Sequence, residues 1–354
     1  MQRILVIRID FLGDMVCTTA LLHSLKQRWP AAEIHVLANK YNQAVLARNP
    51  AVSAVHNYVY SKQCERNQRS GRLAALLDRL ALILRLRRLR FDLLLIPNGG
   101  MSKNSIQFAK QLNVVDCRWH TAESEFDDRN PDHIANRAIR HEVLAGFALM
   151  PELGQVNIEA LKLHIYPDTK LQAKWRAELG KQNRPRVGLF ISNKSSQRRW
   201  SCEKWQQLAQ KLSDEAEMMI LYDPVDPPSA QQLAGFNGQC LLTPCINEFV
   251  AAMSLLDLVI SADSSPVHIS SALQIPVVAL FESRPEKYQR WYSLVRHVLL
   301  HAGSQVEDIT VDAVETAARS LLINKPSPSA SGKPETVFLT PTEDVECSLL
   351  ADRS

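Results

Sequence analysis

No run of about 18 apolar residues, the length a membrane-spanning helix needs, occurs in the 354-residue chain. A secretory apolar segment is missing too: residues 4–9 form too short a run, and Arg8 interrupts it. The chain is therefore expected to stay in the cytoplasm. Seven cysteines are scattered from Cys17 to Cys347 without one CxxC pair, and Cys240 and Cys245 have no nearby histidine. They read as reduced thiols, with no structural zinc site. The HExxH arrangement is absent, and 223–226 is not a DxD motif. No metal and no cofactor are expected. Single-sign charge is also scarce, with a formal net charge of only +4. The 46% hydrophobic and 22% charged residues describe an ordinary globular protein, long enough for two domains with two cores.

What is present begins with a buried strand pattern over 4–9, a brief turn containing Gly13, and a helix pattern ending at Trp29-Pro30. One glycine stands where a dinucleotide loop needs three, so this is a strand-end site but not an NAD loop. Asp14 falls at that end, in the first helical turn, where the helix dipole also favours a carboxylate. A strand over 33–39, a short helix over 41–48 and an extended segment over 52–60 continue a β-α-β-α-β order, which indicates an α/β doubly wound parallel sheet.

Between Lys62 and Arg90 the chain carries Lys62, Arg66, Arg69 and six further arginines, opposed only by Glu65 and Asp78. Leu73, Leu76, Leu77, Leu80 and Leu84 mark one helical face, expected to be apolar. The stretch fits a solvated basic helix or a surface for a polyanion or an anionic membrane. Aromatics are not interleaved, so nucleic acid is not an expected partner. A strand over 91–96 ends in a loop with Asn98. A helix over 133–149 presents His133, Asn136, Arg137 and His141 at helical spacing, a polar face turned to solvent or to a site.

Residues 150–184 lack a buried strand and hold the expected domain junction. The strand pattern restarts at 186–191, and its loop holds Asn193, Lys194, Arg198 and Arg199; guanidinium suits bidentate phosphate binding. After a strand over 258–261 come Asp263, Ser264, Ser265, Pro266, Val267 and His268. Pro266 fits the first helical position with Ser264 or Ser265 as cap, and the free N–H groups of such a start can hold a diphosphate. Residues 324–354, rich in Pro, Ser and acidic residues, are expected to be a disordered tail.

Three strand-end segments thus stand in order, and together they resemble glycosyltransferase family 9, the ADP-heptose:lipopolysaccharide heptosyltransferases. Ile7-Arg8-Ile9-Asp10-Phe11-Leu12-Gly13-Asp14-Met15-Val16, with Thr18-Thr19-Ala20-Leu21, looks like the family's opening signature. Arg198-Arg199-Trp200 looks like its Lys-Arg-Trp loop, and Asp263 to His268 like its Asp-Thr-Gly-Pro-x-His segment. The resemblance covers residues 1 to about 322. It implies a GT-B fold, two Rossmann-like domains with parallel sheets facing across a cleft: 1–165 for the acceptor and 166–323 for the nucleotide sugar. It implies metal-independent transfer with inversion, from ADP-heptose to a Kdo or heptose hydroxyl of the lipopolysaccharide inner core. The protein would sit at the cytoplasmic face of the inner membrane as a peripheral protein.

On that resemblance Asp14 is the base. Asn193, Arg198, Arg199, Asp226, Asp263, Ser264, Ser265, Val267 and His268 hold the donor, and Gly13, Asn98 and Arg137 face the acceptor; Lys62, Arg66 and Arg69 are added to the acceptor side on their charge alone. Ser265 stands where the family has glycine, and Arg198 where it usually has lysine. The alternatives are another inverting GT-B transferase with a different nucleotide sugar or acceptor, and a non-catalytic nucleotide-binding scaffold.

Overall fold

The computed structural model describes residues 2–127, 131–323 and the pair 338–339. The chain divides into two compact units, Met1–Tyr166 and Pro167–Ser354, each built on its own parallel sheet.

The first unit runs β1 (Arg3–Arg8), α1 (Leu12–Arg28), β2 (Glu33–Ala38), β3 (Ala54–Asn57), α2 (Arg72–Leu89), β4 (Leu93–Ile96), α3 (Lys103–Ala109), β5 (Asp116–Trp119), α4 (Pro131–Asn136) and α5 (Val143–Ala148). The strands pair in parallel in the order β3-β2-β1-β4-β5. β1 takes the centre because Ile4, Leu5, Val6 and Ile7 are apolar on both faces, and all four are fully buried. The chain builds outward from β1 to β3, then crosses to β4 on the other side. The order therefore reverses between β1 and β4, and doubly wound sheets open their ligand crevice at the carboxyl ends flanking such a point.

Two sequence expectations change here, and a third feature is new. Gly13 is not in a turn: α1 already starts at Leu12, so Gly13 and Asp14 both lie in its first turn and Gly13 is buried. The single helix expected over 133–149 is two, α4 and α5, with buried His141 and Glu142 just before the second. The leucine face of α2 points away from the core. Leu73, Leu76, Leu77, Leu80 and Leu84 are 71, 64, 56, 52 and 42% exposed, while Ala75, Leu82 and Leu86 are buried. Periodicity groups residues on a face, but a helix with apolar residues on two sides needs the sheet to decide which side is covered.

The second unit begins with α6 (Thr169–Leu179), β6 (Arg186–Phe190), α7 (Cys202–Leu212), β7 (Glu217–Leu221), α8 (Ala230–Ala234) and β8 (Gln239–Leu241). It continues α9 (Ile246–Met253), β9 (Leu258–Ala262), α10 (Ser265–Leu273), β10 (Val277–Glu282), α11 (Pro285–Tyr288), β11 (His297–Ala302), α12 (Val311–Ile323) and β12 (Phe338–Leu339). The strand order is β12-β11-β10-β9-β6-β7-β8. Val187, Leu189, Ile260 and Leu280 from its centre share one core with Trp205, Leu208 and Leu212 of α7. The order reverses between β6 and β9, the same device as in the first unit. The tail expected over 324–354 lies outside the described residues, save Phe338–Leu339, which pairs in parallel with β11.

Candidate active site

In the first unit the polar groups gather at the β1–β4 reversal. Arg8, the last residue of β1, is 2% exposed. Its guanidinium donates to the Asp14 carboxylate, to Glu142 Oε1 at 2.9 Å and to the Pro97 carbonyl at 3.0 Å. Asp10 Oδ2 lies 3.3 Å from Arg8 Nε. Glu142 Oε1 also accepts the Gly99 N–H at 3.1 Å, which ties the start of α5 to the loop after β4. Asn98 in that loop donates to the Asp10 carboxylate.

A cation buried this deeply needs carboxylates around it, and three supply them. Their own crowding sets the electrostatics. Burial first, and then the neighbouring Asp10 and Glu142 charges, push Asp14 up to about 6 against the opposing pull of Arg8. Burial likewise raises Asp10, and the three carboxylates hold Arg8 firmly charged despite its burial. The Asp14 side chain keeps 15% of its surface exposed, so a solute can reach it.

The arrangement depends on close helix packing. Gly146 of α5 lies against α1, and a Cβ there would stand 2.6 Å from Leu21 Cδ2 and 3.0 Å from Pro97 Cβ. The missing side chain lets α5 approach and brings Glu142 to Arg8. Sequence reasoning missed Glu142 as a site residue, and passed over Arg8 except as a break in an apolar run. The legible signal was a lone arginine closing a buried strand, which demands acidic partners from elsewhere in the chain.

The other residues expected at the acceptor are more dispersed. Arg66 lies 4.3 Å from the Tyr60 ring centroid, and the Tyr60 hydroxyl donates to the Ile9 carbonyl at 3.3 Å, so Arg66 stands near the strand end. Arg69 is occupied by Asp78. Lys62 is exposed in a bend. Arg137 is exposed and donates to the Glu123 carbonyl at 3.0 Å, with no contact to the Arg8 group.

In the second unit the loop after β6 meets the start of α10. Arg198 Nη1 donates to both the Asp263 carbonyl and its Oδ2 at 3.2 Å. Asn193 Nδ2 donates to the same carbonyl at 3.0 Å. Arg199 Nε donates to the Asn193 carbonyl at 2.7 Å, and its Nη2 lies 3.4 Å from Asp226 Oδ2. Asp263 is 6% exposed; burial raises its pKa while Arg198 and Lys287 oppose the shift. Trp200 anchors the loop by donating to the Ile309 carbonyl at 2.9 Å and by edge contact with Trp205.

The expected helix start is corrected in detail. Ser264 holds the capping position, but its hydroxyl turns back to the Ala262 carbonyl. Ser265 is the first helical residue and Pro266 the second. The Val267 N–H is used by the Ser264 carbonyl at 3.2 Å. His268 is 4% exposed beside Trp291.

Solved structures share this architecture. A family 9 glycosyl transferase from Veillonella parvula superposes with TM-score 0.74 at 17% identity, over 92% of this chain and 98% of its own. An Escherichia coli heptosyltransferase, WaaC, with ADP superposes with TM-score 0.68 at 15% identity, over 90% and 100%. Two parallel-sheet α/β domains of this kind define the GT-B fold. The family model for glycosyltransferase family 9 (heptosyltransferase) matches residues 79–315, and the chain belongs to that family. It is 22% identical to lipopolysaccharide heptosyltransferase 3 of Escherichia coli over 300 residues, 80% of this chain and 84% of that one.

Proposed function

We propose that this enzyme transfers heptose from ADP-heptose to a hydroxyl of the lipopolysaccharide inner core, with inversion and without a metal ion. The observation that carries the reading is Asp14: a reachable carboxylate at the β1–β4 reversal, with a pKa near 6. A general base works best when its pKa lies near the operating pH. Asp14 would take the acceptor hydroxyl proton as that oxygen bonds to the anomeric carbon. The bond from that carbon to the β-phosphate oxygen breaks, and its electron pair leaves with ADP. Back-side displacement at one carbon inverts the centre.

The first unit would bind the acceptor. Gly13, having no side chain, leaves room for the acceptor beside Asp14, Asn98 holds Asp10, and Lys62, Arg66 and Arg69 supply cations for acceptor phosphates or Kdo carboxylates; Arg137 makes no contact with the Arg8 group. The second unit would bind the donor. Arg198, pre-set by Asp263 and Asn193, would offset the growing diphosphate charge that a metal ion neutralises elsewhere, with the N–H groups at Ser264 and Ser265. Arg199 and Asp226 would face the nucleoside, Val267 and His268 would form the floor, and Asp263 would share itself between Arg198 and heptose hydroxyls. The lipid-linked acceptor makes the protein a peripheral partner of the inner membrane's cytoplasmic face; among the described residues no helix is long and apolar enough to cross a membrane.

Proton NMR of the product made from ADP-heptose and heptose-deficient lipopolysaccharide tests this. The expected product carries the inverted anomeric configuration and forms equally well in EDTA. Retention of configuration, loss of turnover in EDTA, or thermal stabilisation by UDP but not ADP overturns it.

A further inference from the structure

The five leucines displaced from the core form a surface of their own. They lie on a helix of 18 residues, fastened to the sheet core by Leu82 and Leu86 on its opposite side, where Ala75 is buried too. They are therefore not core residues left uncovered by a loose helix. At about 100° per residue, Leu73, Leu76, Leu77, Leu80 and Leu84 fall in one stripe along the helix. Arg72 and Arg85 project on its two flanks, and Arg87 and Arg88 close its carboxyl end. All four arginines are exposed. Arg72, Arg85 and Arg88 have no carboxylate partner among the described residues, and the one acidic residue on the helix, Asp78, is engaged by Arg69.

An apolar stripe with a cationic rim matches one chemical surface closely: an anionic bilayer, whose acyl region takes the leucines while its headgroups take the guanidinium ions. A protein partner would need a complementary apolar groove and acidic rim; a bilayer offers both without specific shape. We infer that α2 is a monotopic membrane anchor, lying in the plane of an anionic leaflet with its leucine stripe inserted and its arginines at the headgroup level. Long basic side chains at such a boundary extend their charged ends outward while their stems stay with the apolar layer. The inference deepens the reading of a lipid-linked acceptor and rests on it only for biological sense, since vesicle binding is measured without catalysis.

The test is co-sedimentation of the full chain with phosphatidylcholine vesicles, with and without phosphatidylglycerol. Wild type and the triple variant Leu76→Ser, Leu77→Ser, Leu80→Ser are compared, with circular dichroism confirming an unchanged fold. The expected result is wild-type binding to the anionic vesicles only, weakened by salt, and at least about a tenfold loss in the variant. Transfer to a delipidated core oligosaccharide in solution stays unchanged in the same variant. Equal vesicle binding by variant and wild type overturns the inference. So does a wild-type protein that ignores anionic vesicles but forms a dimer which the triple variant dissociates, because the stripe then joins two copies. Loss of transfer to the soluble acceptor with intact vesicle binding also overturns it, and assigns the leucines to the reaction site instead. If transfer to the soluble acceptor fails in the wild type, the functional reading falls while the vesicle result still decides the anchor.

Discussion

Arg8 is the residue on which the first site turns. A buried donor left without its acceptor costs about 1–3 kcal/mol. Glu142→Ala is expected to lower stability by about that amount, seen as a fall in the denaturant midpoint, because Glu142 is 3% exposed and accepts from both Arg8 and the Gly99 amide, while Asp10 and Asp14 still balance the Arg8 charge. A change near zero contradicts the account of the cluster. The pKa of Asp14 gives a second outcome. A base must be unprotonated, so kcat/KM is expected to rise with pH through about 6 and level off above it. The raised pKa means that the folded state binds this proton more tightly than the unfolded chain does. Between about pH 4 and 6 the contribution of Asp14 to stability therefore falls as pH rises. The lone arginine closing β1 signalled a need for acidic partners, but Glu142 itself was not legible as one, because it is far from Arg8 in sequence and only the packing of α5 on α1 joins them.

At the scale of elements, α2 and α5 carry the tests. Leu80 is 52% exposed and Leu82 3% exposed. Leu80→Ser is expected to change stability by within about 0.5 kcal/mol, and Leu82→Ala to cost about 2–5 kcal/mol; urea denaturation ranks them. The opposite order contradicts the helix rotation described above. Gly146→Ala is expected to cost about 1–3 kcal/mol through overpacking against Leu21 and to lower kcat by shifting Glu142. The central strands were legible because continuous apolar runs between turn signals have few other uses. β8, β11 and α12 passed unnoticed, since β8 has only three residues and polar His297 and His301 interrupt the run of β11. The strand-end positions of Asp14, Arg198 and Asp263 were legible from motif order, whereas the spent Val267 amide and the turned-back Ser264 hydroxyl are matters of backbone geometry that spacing does not carry.

At the scale of the whole molecule, the two units have separate cores, and the proposed function gives each its own substrate. Hydrogen exchange with saturating ADP is expected to protect 191–200 and 262–268 and to leave β1 and α1 unchanged, since a ligand protects the unit that binds it. Protection at β1 and α1 instead would exchange the roles of the units. The measurement that tests the central claim most directly is the transfer rate of Asp14→Asn against wild type, with ADP affinity measured on the same samples. The account predicts a fall in kcat of at least about a hundredfold with ADP binding intact. A variant that turns over within a few-fold of wild type contradicts it.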